Sequence, residues 1–160
     1  IDGYIKRYGI DDGIVLYQNA HGDNYNKTHS ISKISMELFN DIKVYIPDLE
    51  HIGKNELTIP PTLEESKKYK IYRIRVDCEY NGKVIEFNGD AFHGNPQIFT
   101  ENDTPHPYKK SLKAKDIWKK DKIREDILKA HGFEVLVVWE RDFIENRGKV
   151  IKQCIDWLLK

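Results

Sequence analysis

The chain is short of several things at once, and each shortage closes off a class of protein. Its 160 residues include only two cysteines, Cys78 and Cys154, which cannot by themselves form a Cys-rich zinc site. One falls in a strand pattern and the other on an apolar helix face, so two buried thiols in a reducing compartment are expected. No apolar run approaches the roughly eighteen residues that a membrane-spanning helix needs. Net charge is also missing. Twenty-six basic and 26 acidic side chains cancel, which argues against a protein that merely coats nucleic acid. The chain opens on Ile1 with no charged-then-apolar leader, so a fragment of a longer protein is expected rather than a secreted precursor. What remains is one ordinary soluble domain with a real core.

Residues 1–29 read as a short module. Tyr4, Tyr8, Ile14 and Tyr17 are its apolar anchors, punctuated by Gly9 and Gly13, and an Asn-rich connector follows. Two short helices or helical turns fit this pattern. Residues 30–160 then form the main domain. Ile31, Ile34, Leu38 and Ile42 recur at helical spacing, with Ser30 or Ser32 as cap. Between Lys43 and Pro61 the text is compatible with short strands or an irregular loop. From Tyr69 to Tyr80 strict alternation predicts a strand with one buried face. Asn81-Gly82 then predicts a hairpin, and Lys83 to Asn88 the returning strand.

The loop 95–111, with Pro96, Pro105 and Pro107, has no apolar periodicity and is a candidate flap. A helix is expected from about Lys113 to His131. Ile117, Ile123, Ile127 and Leu128 form its stripe, while Asp121 and Arg124 fall inside or beside that stripe. Phe133 to Trp139 is nearly continuously apolar and predicts a strand covered on both faces. A last helix is expected over about 145–159. The sum is an α/β layer fold.

One stretch carries most of the chemistry: Lys83 to Pro96, K-V-I-E-F-N-G-D-A-F-H-G-N-P. It starts as a buried strand yet holds Glu86, Asn88, Asp90 and His93. Buried carboxylates are costly unless something positive lies between them. A divalent metal is the obvious candidate, and Gly89 and Gly94 would let backbone approach it. The hairpin brings Asp77 near Glu86. Two such carboxylates suit Mg²⁺ or Mn²⁺, and His93 could activate water or protonate a leaving oxygen, which together suggest phosphodiester hydrolysis. The competing account is an ion-pair network with Arg73, Arg75 or Arg124. Eight basic residues against two acidic ones lie between Lys109 and Arg124. This is a solvated helix face in most proteins and a phosphate-binding face when chemistry lies next to it. Phe92 reads either as a wedge between bases or as core.

The pattern D-x8-E-x-N-G-D-x2-H, followed by W-x2-D-x2-R and G-F-x-V-L-V-V-W-E, resembles the very-short-patch-repair-like nucleases of the PD-(D/E)xK superfamily. It is most similar to phage and intron-encoded homing endonucleases with a Glu, Asp, His, Asp constellation. The likeness spans about Ser30 to Trp157 and includes S-K-I-S-x-E-L-F from Ser32 to Phe39. It implies a mixed sheet flanked by helices and a Mg²⁺- or Mn²⁺-dependent endonuclease acting on double-stranded DNA. A phage-encoded protein working in a bacterial cytoplasm is also implied, with a homodimer as one assembly open to it.

By position, the resemblance makes Asp77 the principal metal ligand with Glu86, supported by Glu37 and Asp121, and His93 the general base or acid. Lys109, Lys110, Lys113, Lys115, Lys119 and Lys120 are the expected phosphate contacts, with Asn88, Asp90 and Arg124 as subsidiary site residues. Asn88 stands where the superfamily usually has lysine, which shifts proton transfer onto His93. The repair enzyme's structural zinc has no counterpart ligands here. The N-terminal Y-x3-Y-G-x3-G-x3-Y pattern is similar to modules preceding the catalytic domain in phage homing endonucleases, and marks the end of a DNA-binding region. Alternatives are a mismatch-repair or restriction nuclease of the same superfamily, or a DNA-binding module that does not cut.

Overall fold

The computed structural model describes residues 32–51 and 57–160; the expected module at 1–29 lies outside them. The chain divides into two compact units. Of the described residues, one contains 58–75, and the other contains 32–51, 57 and 76–160.

In the larger unit the first helix, α1 (Lys33–Tyr45), starts where expected: Ser32 caps it by accepting from the Ser35 amide. Its stripe of Leu38, Phe39 and Ile42 is fully buried. A four-stranded mixed sheet follows, made of β1 (Glu50–His51), β4 (Cys78–Tyr80), β5 (Lys83–Asn88) and β6 (Glu134–Trp139), in the order β1-β4-β5-β6. β1 and β5 both run antiparallel to β4, while β6 runs parallel to β5. The Asn81-Gly82 hairpin forms as predicted: both residues take positive φ, 50° and 80°, the requirement of a tight primed turn.

Alternation along β5 sorts its side chains. Ile85 and Phe87 join Cys78 and Val138 in the core beneath α1, α5 (Glu140–Glu145) and α6 (Arg147–Leu158). Glu86 and Asn88 fall on the other face with Val135 and Val137, toward α4 (Ala114–Ala130). Helices therefore flank the sheet, and one face carries the bulk of the core while the other carries the polar residues. Both cysteines are free and buried. Burial pushes both thiols up, that of Cys154 to about 12, which leaves them unreactive.

The smaller unit holds β2 (Thr58–Ile59) paired antiparallel with β3 (Ile74–Arg75), and between them α2 (Leu63–Tyr69). Helix α2 starts on a reciprocal cap in which Thr62 Oγ1 accepts from the Glu65 amide and Glu65 accepts from the Thr62 amide. The T-x-x-E signal for it stands in the sequence.

Three expectations are corrected. The strand predicted over 69–80 is shorter and broken: Tyr69 ends α2, residues 70–73 are neither helix nor strand, and the rest is parted at Val76–Asp77, because Val76 donates its amide to the Leu57 carbonyl and Asp77 turns its carboxylate to the neighbouring strand. The last helix expected over about 145–159 forms as α6, but residues 140–145, for which no helix was expected, form α5 before it, the two separated at Asn146 with φ −147° and ψ 59°. Finally, β6 is not covered on both faces. It is the sheet's edge, and Val137 is 36% exposed beside a cavity.

Candidate functional site

The site is built at the carboxyl end of β5. The β4–β5 register pairs Cys78 with Ile85, so its continuation sets Asp77 opposite Glu86, as the hairpin reading expected. The ladder stops there. Asp77 Oδ2 accepts instead from the Phe87 amide at 2.8 Å, and the Asp77 and Glu86 carboxyls influence each other's protonation. From α4, Arg124 Nη2 donates to Glu86 Oε1 at 3.0 Å.

After Asn88 the chain enters a single helical turn, α3 (Asp90–His93), closed by Gly94. Gly89 has an ordinary φ of −65°, so its glycine is not needed for backbone freedom. Gly94 is different. Its φ is +62°, and a Cβ there would lie 3.2 Å from Pro105 and 3.3 Å from Ala114, so only glycine fits without displacement. Its carbonyl accepts from Trp118 Nε1 at 2.6 Å. One turn further along α4, Asp121 Oδ2 lies 2.7 Å from His93 Nδ1. Trp118, Asp121 and Arg124, three residues apart along one helix, thus hold the Gly94 carbonyl, the His93 imidazole and the Glu86 carboxylate respectively.

The far side of α3 is braced as well. Asn95 is fully buried and donates to Asp90 Oδ1, and Glu140 accepts from the Asp90 amide.

Glu86, Asn88, His93, Asp121 and Arg124 line one small cavity of about 40 Å³, with Glu125, Leu128, Val135 and Val137 completing it. That is room for one or a few waters or a small ion. Three carboxyls converge on one guanidinium and one imidazole, and the local field reflects the excess acid. Burial pushes Glu86 up to about 8, since Arg124 opposes the shift while Asp77 and Asp121 add to it. Burial raises Asp77 too, against the pull of the Phe87 amide, Arg124 and His93. A proton retained near neutral pH marks a place where more positive charge would be accommodated.

Asp77, Glu86, Asn88, His93, Asp121 and Arg124 are thus brought together. Glu37 is not among them. It lies on the exposed side of α1, where Arg147 of α6 pairs with it at 2.8 Å and with Asp41 at 2.7 Å. The edge position read from the sequence is real, but it faces α6 rather than the cavity. Asp90 is a brace for the α3 turn, not a lining residue. Phe92 is not core: it is 49% exposed, in ring contact with His106 and Tyr108.

All six candidate lysines are exposed. Lys109, Lys110 and Lys113 lie on the segment entering α4. Lys115 and Lys119 lie across the helix from Asp121 and Leu128, on its solvent side. The candidate flap is fastened at its middle: the Glu101 and Asp103 carbonyls accept from the Lys115 and Ala114 amides, closing the open N-terminus of α4. Asn95, Glu140 and Glu125 were not singled out by the sequence. Glu140 acts on Asp90 fifty residues away, which no local pattern shows; Asn95 bonds Asp90 and Gln97 nearby and Glu125 pairs with Lys129 one turn on, but such short-range spacing does not tell that either residue borders a site.

Among the described residues, no group of three or more His, Cys, Asp or Glu side chains is drawn together as a ready metal cage. Asp121 is committed to His93, which leaves Asp77 and Glu86 as the available pair. The donor chemistry nevertheless fits a hard divalent cation. Mg²⁺ needs only one or two protein carboxylates and keeps several waters, and the pair is buried with both carboxyls shifted upward, short of the positive charge that would hold them ionised. No helix among the described residues is long and apolar enough to cross a membrane. Comparison of the chain with protein-family models, with curated proteins and with solved structures gives no match.

Proposed function

We propose that this chain carries a divalent-metal-dependent DNA endonuclease domain of the PD-(D/E)xK type, related to the very-short-patch-repair-like homing endonucleases. The observation that carries the reading is the meeting, at one strand end, of the buried Asp77–Glu86 pair with the His93–Asp121 pair. Asp77 and Glu86 would hold Mg²⁺ or Mn²⁺, which when bound supplies Lewis-acid charge to a phosphoryl oxygen and acidifies a water.

The chain's own residues account for the rest. A carboxylate at Asp121 only accepts hydrogen bonds, so the contacting His93 Nδ1 carries a proton, and in the neutral imidazole Nε2 would then be the nitrogen that takes a proton from water. Asn88 offers no cationic group, so proton transfer falls to His93. Lys109, Lys110 and Lys113 are exposed on the segment entering α4 and would bind backbone phosphates.

A purely structural ion-pair network is favoured by the Arg124–Glu86 and His93–Asp121 contacts. The upward-shifted Asp77 and Glu86 carboxyls weigh against it, because a single guanidinium does not hold both of them ionised and a structural network gains nothing from buried acid left so. The deciding experiment incubates supercoiled plasmid and intron-flanking duplexes with the protein, with Mg²⁺ or Mn²⁺ and then with chelator. Metal-dependent nicking that is lost in His93→Ala is expected. A folded protein that leaves every DNA intact with either metal removes the reading.

A further inference from the structure

Arg124 occupies an unusual place. Among the described residues it is the single lysine or arginine lining the cavity, and its guanidinium lies on Glu86, the carboxylate at the centre of the acid cluster. We propose that Arg124 is an exchangeable counter-ion: its guanidinium holds the place on Glu86 that a divalent cation takes, and on exchange it turns to the phosphate of the bound DNA. The inference rests on the nuclease reading above.

Three features lead to it. Arginine does not lose its charge in proteins, so it cannot give way to an incoming cation by deprotonating. It can only move, and two cations on one carboxylate repel at short range. The side chain has room for that movement: it is 31% exposed against 13% for Glu86, and it borders open cavity rather than packed core. The third feature is the missing strand lysine. Asn88 leaves the strand end without a cation, and a released guanidinium in the same cavity would supply planar two-point contact to a phosphate.

The test is Mg²⁺ binding by calorimetry to the full chain, taken as the limiting affinity in alkaline buffer so that proton competition is equal in both proteins. Arg124→Gln removes the competitor, and Mg²⁺ affinity should rise about tenfold, the size of one close charge interaction. In the same variant DNA cleavage should fall, so binding and turnover move in opposite directions. Arg124→Lys keeps the charge and should bind Mg²⁺ near the original affinity.

A second readout needs no variant protein to fold. In the original protein the Arg124 side-chain N–H resonance should exchange slowly with solvent without metal and quickly at saturating Mg²⁺. Equal or weaker Mg²⁺ binding by a folded Arg124→Gln, or an unchanged Arg124 exchange rate, overturns the exchange alone and leaves the nuclease reading standing. Failure of the original protein to bind Mg²⁺ at all overturns both.

Discussion

His93 and Asp121 meet through one contact, Nδ1 to Oδ2 at 2.7 Å, between a four-residue helix and the middle of a seventeen-residue one. That contact decides which imidazole nitrogen is available to chemistry. It holds because Trp118, one turn away, grips the carbonyl of the residue after His93.

Asp121→Asn therefore leaves the fold and DNA affinity close to unchanged while removing the anion that fixes the imidazole. The cleavage rate should drop by about 10²- to 10⁴-fold, the usual worth of an oriented general base. Single-turnover cleavage measured beside gel-shift affinity checks this. Equal losses in both would show Asp121 to be merely structural.

Glu86 makes stability fall as pH rises. Its folded-state carboxyl is held at about 8 against 4.5 when free, so between those values the folded chain binds a proton that the unfolded chain does not. Unfolding free energy then decreases across that window and levels off above it, by a few kcal/mol at most. The upward shift of Asp77 acts in the same direction. Thermal melts from about pH 5 to 9 should show the decline, Glu86→Gln should flatten it, and Mg²⁺ should recover stability at the alkaline end. A stability that climbs through this range contradicts the burial argument.

Asp77 has two tasks that substitution can separate. Asp77→Ala strands the Phe87 amide that Oδ2 now satisfies, at a cost of about 1–3 kcal/mol. Asp77→Asn retains an acceptor for that amide and should cost less. Both should abolish metal-dependent cleavage, since neither leaves a carboxylate. Denaturant titrations with cleavage assays distinguish the tasks, and an Asn variant that cuts at the original rate removes Asp77 from metal binding.

The lysines should divide by position. Replacing Lys109, Lys110 and Lys113 with alanine should flatten the logarithmic salt dependence of DNA binding by about 0.9 for each phosphate that is no longer neutralised. Lys115→Ala with Lys119→Ala, on the far side of α4 from the cavity, should change the slope less. Filter binding over a salt series measures both. Equal slopes for the two sets would place the DNA across the outer face of the helix.

Much of the fold was legible because it rests on local signals. The Asn81-Gly82 turn, the alternation on either side of it, the Ser32 cap and the stripe of α4 each constrain a few neighbouring residues, and each forms. The breaks were not legible. Val76 and Asp77 read as the continuation of a strand, because the groups that interrupt it, the Leu57 carbonyl and the Phe87 amide, belong to other segments. The apolar run of β6 likewise says buried, but not that, among the described residues, this strand would pair on one side only.

The sequence by itself determined the chemical inventory: two acids across a hairpin, a histidine past a glycine turn, and charges on the core side of a helix, all consequences of short-range periodicity. Tertiary structure alone decided which of these meet. It brought Asp121 and Arg124 to His93 and Glu86 and left Glu37 with Arg147. A helix's rotation and register against a sheet are set by packing over many residues, and no local pattern encodes them.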